Sequence, residues 1–403
     1  MRAWLGLFAF AAACTPAAQM CDSLRTALGN CGLPADGLDC TRVDYTTLGD
    51  LAQRMDGKSC NVPADDHGAV DPRLCAIAGW SCPASPTPSV SSAATRYPIV
   101  LVGGIDDTPV FDWNPNIAAA IEAGGGIAFH VSPSAWQPTP RRAADLWASL
   151  TSLKRTSGAE KLNLVCYAVG GIDCRYLVSA GGLFALDATQ RAEVIASIAS
   201  ITTISTPHRG TRVADAAILA LQSSTTVEVL QTIFGVTAPA VIPDDATLVK
   251  TLHGLTVDAL TAFDAATPDE PSIYGQSFAG VSELLGQRSA QDETATQKLC
   301  VDDGGVAAYQ RDATSVDALN PILMVTAPFS HTARDRRGIV VSSPSDGMIS
   351  LASAPWAHFR GCVGADHYDV IGQIGNRTRD PLTGFDARDF YVWLAADLAT
   401  RGF

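Results

Sequence analysis

The chain has 403 residues, 47% of them hydrophobic and only 17% charged, a balance that excludes a disordered polyelectrolyte and implies a sizeable buried core. Its formal net charge of −13 at pH 7 argues against a nucleic-acid partner, because phosphates would be repelled. Beyond the N-terminus no apolar run reaches the roughly 18 residues that a bilayer-spanning helix needs.

Met1-Arg2 precedes the apolar run Ala3 to Ala13, so residues 1–18 read as a secretory signal peptide. Two processing routes fit: ordinary cleavage near Ala18, or lipoprotein-type cleavage before Cys14, which would leave a lipid anchor. Either route predicts an exported protein, in the periplasm, at the outer membrane or in the medium. Residues 19–84 follow, with Cys21, Cys31, Cys40, Cys60, Cys75 and Cys82 crowded among few long apolar runs. In an exported chain that density implies a small module stapled by disulfides. Zinc is disfavoured, because no Cys-x-x-Cys pair occurs and only His67 lies nearby. A Pro/Ser/Thr-rich stretch over 85–95 reads as a linker.

From residue 96 the texture is that of alternating strands and helices. Residues 99–102 are a continuous apolar run expected of a strand buried on both faces, 128–131 read as a second strand, and 162–165, 201–204 and 339–341 supply further strands. Ala143, Leu146, Trp147, Leu150 and Leu153 recur at helical spacing. Strands separated by helical patterns predict a mostly parallel sheet with helices on both faces. Residues 212–290 read as amphipathic helices with polar interruptions, a helical cap.

Five blocks in this region carry a resemblance. They are Arg96 to Val102, Lys161 to Tyr176, Ser200 to Gly210 with its Thr206-Pro207-His208-Arg209-Gly210 core, Ser345 to Ile349, and His367-Tyr368-Asp369. In this order they resemble the calcium-dependent, foldase-assisted true lipases of Gram-negative bacteria, over about residues 97–403. The resemblance implies an α/β-hydrolase fold with a lid in the cap, a bound calcium ion, a foldase partner and an acyl substrate. It also implies a catalytic trio in the chain order Ser, Asp, His.

This chain keeps the order as Ala168, Asp346 and His367. By the resemblance His367 is the base and Asp346 its orienting carboxylate, and the oxyanion donors are the backbone N–H groups of Ile105 and Val169. The nucleophile position holds a methyl group, which cannot attack a carbonyl. Further departures surround it: Gly103 stands where the family has histidine, and Cys166 where it has the first elbow glycine. Cys166 and Cys174 read as buried structural thiols, with a local bridge between them as the alternative, and Tyr167 is a poor nucleophile at an ordinary phenol pKa of about 10. Cys300 and Cys362 form a plausible disulfide pair. The family's calcium ligands carry over to Asp317, Asp369 and Gln373, with a backbone oxygen near Arg377 completing an oxygen set that suits a hard cation.

These readings lead to an exported lipase-like protein that is catalytically inactive and acts by binding, of an acyl or other apolar ligand, or by scaffolding. Two competing expectations are a triacylglycerol lipase or carboxylesterase with an unorthodox nucleophile, and a surface interaction protein working through its cysteine-rich module.

Overall fold

A computed structural model of the chain describes residues 16–42, 48, 51–52, 55, 72–78, 93–106, 108, 111–234, 244–283, 294–296, 299–300, 317–334, 340–373 and 385–403. Contacts divide the chain into two units, Met1–Ser89 and Val90–Phe403. The expected signal segment before Pro16, Cys14 with its lipid anchor, Cys60, Cys82 and Arg377 lie outside the described residues.

In the first unit a helix, Pro16–Asn30, turns Leu24 and Leu28 onto Leu51, Leu74 and Ile77. Cys21 on that helix is joined to Cys40, with Cα atoms 6.0 Å apart, and Cys31 and Cys75 are also disulfide-bonded. So small a core is of the kind that disulfides support in exported modules.

The second unit is organised by its strands: β1 (Ile99–Val102), β2 (Ala128–Val131), β3 (Leu162–Tyr167), β4 (Ile198–Ile204) and β5 (Tyr274–Gly280). Short ribbons follow, β6 (Ser282–Glu283) with β7 (Asp317–Ala318) and β8 (Thr332–Arg334) with β9 (Val340–Ser342), and then β10 (His358–Val363). One six-stranded sheet has the order β10-β5-β4-β3-β1-β2 and is parallel in every pairing. Alternation along each strand assigns its two faces. Leu162, Leu164 and Cys166 of β3 pack with Leu146, Leu150 and Leu177 from helices on one side. Val165 and Tyr167 pack on the other side with Phe390, Tyr391 and Leu394 of the C-terminal helix, Ala387–Thr400. This is the α/β-hydrolase fold.

Three sequence expectations need correction. The helical cap does not extend over 212–290: its helices are Arg212–Ala220, Thr226–Phe234, Asp245–His253 and Val257–Ala266, and residues 274–280 then return to the sheet as β5. That strand is central yet hydropathically invisible, because Gln276 and Ser277 are buried through hydrogen bonds to Thr202 Oγ1 and to the Trp356 carbonyl. The strand expected at 339–341 forms, but as β9 in an antiparallel ribbon outside the main sheet. The composition-based linker over 85–95 overshoots, since Ala93 is fully buried against the glycines that end the helix Pro115–Ala123. A Cβ at Gly124 would stand 2.8 Å from that of Ala93.

One polar link crosses the core. Arg142, on the helix Thr139–Ser157, is wholly buried and its Nε donates to Asp173 on the helix Val169–Val178 at 2.8 Å. Its other nitrogens donate to the carbonyls of Gly103, Gly104 and Ile105, and to Ser134 O at 2.9 Å. Burial pushes the Asp173 carboxyl up to about 6 against the lowering pull of Arg142. Removing one partner would leave a charge alone in the core, so Asp173→Ala is expected to lower stability by about 3–5 kcal/mol in urea unfolding. Gly171 gives a second test. A Cβ there would fall 2.2 Å from Thr206 Oγ1. Gly171→Ala is therefore expected to destabilise by about 1–3 kcal/mol in the same assay, although alanine favours a helix by roughly 1 kcal/mol over glycine.

Candidate active site

Strand β3 ends at Tyr167 and the helix Val169–Val178 begins two residues later, so Ala168 alone makes the turn. It does so at φ 48° and ψ −124°, a region that L side chains rarely adopt and that costs on the order of 1–3 kcal/mol. The surroundings leave it no alternative. Ala168 N–H donates to Ile204 O at 2.9 Å and its carbonyl accepts from Gly171 N–H at 3.0 Å. A Cβ at Gly170 would stand 2.5 Å from Gly103 O, so the helix start and the loop after β1 touch backbone to backbone. Cys166 and Cys174 are joined by a disulfide, with Cα atoms 6.9 Å apart, which ties the strand end to the helix. The bridge corrects the reading of these two residues as thiols and removes both as nucleophiles.

Asp346 and His367 meet beside this turn. His367 Nδ1 lies 2.8 Å from Asp346 Oδ2, and His367 N–H donates to the Asp346 carbonyl at 2.8 Å. The other carboxylate oxygen, Oδ1, accepts from the N–H groups of Met348 and Ile349 at 2.9 and 2.7 Å. A carboxylate fixed at both oxygens holds the imidazole in one orientation. Tyr167 adds a second brace, donating its hydroxyl to the His367 carbonyl at 2.8 Å with the two rings 4.9 Å apart. Burial pushes the Tyr167 phenol well above its usual range, so its proton stays on oxygen.

Ala168, Val169, Ile105 and His367 line one cavity with Phe111, Met348 and other apolar residues of the same cluster. Its volume is about 40 Å³. Drug-sized ligands occupy pockets of about 300–1,000 Å³, so this space takes only a small group as it stands. Two wall residues carry hydroxyls, and both are occupied: Tyr167 as above, and Thr211 donating to Met348 O at 2.7 Å. A roomier groove of about 510 Å³, lined by Lys161, Phe184, Arg191 and Ser272, lies at the opposite ends of the strands, before β3 and β5, and touches none of these groups. Gly103, where the resembled family has histidine, faces Ser132, whose Oγ would be 3.0 Å from an added Cβ.

A second cluster lies next to His367. Carboxylate oxygens of Asp317, Asp366 and Asp369 come within 4.8 Å of one another. Asp317 and Asp369 were expected there, whereas the Gln373 side chain donates through Nε2 to Asp112 O at 2.9 Å. Asp366 was missed, although its place immediately before His367 was a usable signal. It is fully buried and accepts from Tyr368 and Asp369 N–H through Oδ1 and from Asn320 N–H through Oδ2. Arg142 was missed for a different reason: beside Arg141, on a helix with a polar face, it reads as solvent-exposed.

No protein-family model matches the chain. Curated relatives do. The chain is 28% identical over 348 residues to a triacylglycerol lipase of Burkholderia plantarii, an alignment covering 77% of this chain and 90% of that one. It is 28% identical over 327 residues to a triacylglycerol lipase of Pseudarthrobacter phenanthrenivorans, covering 72% and 94%. A triacylglycerol lipase of Vibrio cholerae is 28% identical over 300 residues, covering 72% and 85%. The chain is thus a relative of the bacterial triacylglycerol lipases, built on their α/β-hydrolase fold and carrying alanine at the turn between β3 and the following helix.

Proposed function

We propose that this is an exported lipase-like protein that has given up serine catalysis and uses the residual site to bind a ligand. The observation that carries the reading is Ala168 at the tip of the strained turn, beside an intact His367–Asp346 pair. Support also comes from the cavity wall. Cys166 is locked in a disulfide, and the hydroxyls of Tyr167 and Thr211 are spent on backbone carbonyls, so none of them takes over the attack. Export is supported by the disulfides, which persist in oxidising compartments. No helix among the described residues is long and apolar enough to cross a membrane.

Calcium belongs to the same proposal, and the donor set fits it. Three carboxylates gathered within 4.8 Å repel one another unless a cation joins them. Asp366 spends its oxygens on three backbone N–H groups and so braces the loop, and Asp317 and Asp369 would hold the ion. A bound calcium would supply charge neutralisation that ties β7 to the loop bearing His367. The chain's own residues do the rest: Asp346 orients His367, and the apolar wall excludes water.

Two expected outcomes follow from this reading. Removing the serine from such a trio lowers turnover on the order of 10⁶-fold and leaves only about 10³–10⁴ over water. In a p-nitrophenyl ester assay the purified protein is therefore expected to give no turnover above background, and turnover that disappears in His367→Ala would overturn the proposal. Chelation of calcium-loaded protein is expected to lower the melting temperature, with recovery on adding calcium; at a hundredfold excess over the dissociation constant the ion stabilises by about 2.7 kcal/mol. Asp369→Ala is expected to abolish that shift, and an unchanged melting temperature on chelation would reject the ion.

A further inference from the structure

The loop between β4 and the helix Arg212–Ala220 supplies Pro207 and Thr211 to the cavity wall. His208 lies between them in sequence and is only 1% exposed. Its Nε2 is 2.9 Å from Thr203 Oγ1 on β4, and its Nδ1 is 3.2 Å from Nη1 of Arg175 on the helix Val169–Val178. A guanidinium can only donate, so Nδ1 accepts and the ring's single proton sits on Nε2. Trp356 stacks on the ring, with centroids 5.3 Å apart. The rest of the loop is tied down nearby: Arg209 N–H donates to Ser353 Oγ at 3.0 Å, Ser353 Oγ donates to Gly210 O, and Thr211 Oγ1 donates to Met348 O. A neutral imidazole, held at both nitrogens, thus fixes this part of the wall.

The surroundings offer a second proton no acceptor. Among the described residues the charged groups facing the ring are Arg175 from the helix and Arg209 from the loop itself. Strand β4 and the segment at Trp356 bring a hydroxyl and an indole, which do not titrate near neutrality. Asp264 and Asp269 lie 2.8 and 3.6 Å from Nη2 of Arg175 and offset that charge. Arg175 Nε already finds no hydrogen-bond acceptor. Burial, followed by Arg175 and Arg209, holds the His208 imidazole well below its usual range. A proton on Nδ1 would turn the bond to Arg175 into a contact between two donors and two cations.

We propose that His208 is an acid-operated latch on the cavity wall: neutral, it ties the loop 207–211 to β4 and the helix, and protonated, it releases the loop. One proton is taken up at Nδ1 and the hydrogen bond to Arg175 is lost. The inference goes beyond the binding reading and stands on how the loop is held, whatever the cavity binds. With the loop closed the imidazole titrates below its free value of about 6.5, so the closed form binds fewer protons than the open one. The latch is therefore at full strength above about pH 6.5 and weakens as pH falls below it, the opening equilibrium rising by up to about tenfold per pH unit. Asp173 and Asp366, both raised to about 6, act in the opposite direction on global unfolding, which makes a local measurement the right one.

That measurement is peptide-resolved hydrogen exchange of the full chain between pH 7 and 5, corrected for the intrinsic pH dependence of exchange. Peptides covering 207–213 are expected to lose protection by up to about tenfold per pH unit below 6.5, while those covering β3 keep theirs. His208→Gln keeps an amide donor and acceptor but takes up no proton, and its loop is expected to show a flat profile. Nitrogen chemical shifts of His208 in the wild-type chain make the test independent of that variant's folding: a neutral ring protonated on Nε2 is expected at pH 6. The same loop profile in both proteins, equal loss across β3, or a charged His208 at pH 6 would overturn the latch.

Discussion

The site depends on one residue held in a conformation it does not favour. Ala168 has a left-handed φ without glycine's freedom and without the hydroxyl that gives such a turn its use in a hydrolase. The turn persists because its neighbours overdetermine it. Gly170 lies against the Gly103 carbonyl, Gly171 against Thr206, and a disulfide closes the base of the turn from Cys166 to Cys174. Arg142 then fastens the loop after β1 to the helix that Ala168 begins, through three loop carbonyls and Asp173. Relaxing Ala168 would mean moving the strand end, the loop and the helix together. That is why the strain survives at a turn that carries no hydroxyl.

The same scaffold explains why the polar parts of the site remain ordered. Asp346 is fixed by two backbone N–H groups, His367 by Asp346 and by the Tyr167 hydroxyl, and the donors of Ile105 and Val169 by the Arg142 link. Each of these is a buried group whose loss would orphan another, so the network is retained for stability whether or not it turns over a substrate.

Much of this was legible in the sequence, and the reasons for the rest are physical. The run of β1 gave itself away because a strand buried at every position is almost wholly apolar. Strand β5 did not, because Gln276 and Ser277 are satisfied by partners distant in sequence, Thr202 and Trp356. The pairing of His367 with Asp346 was implied by the family resemblance of the blocks that carry them, which keep the order Asp, His. The disulfide between Cys166 and Cys174 was only one of two open readings, since eight residues of separation say nothing about a strand end facing back onto the following helix. Arg142 was invisible for a related reason: a buried guanidinium is recognised by what surrounds it, and its partners lie on two other segments of the chain.

The central claim is that the His367–Asp346 pair stands beside the strained turn and the attacking atom is absent from it. An alkyl fluorophosphonate, which bonds covalently to an activated serine of such a frame, tests this most directly when the product is read by peptide mass spectrometry. The account predicts no adduct on the wild-type chain, and an adduct at position 168 in Ala168→Ser, because His367, Asp346 and the backbone donors are already in place. An adduct on any residue of the wild-type cavity wall would contradict it.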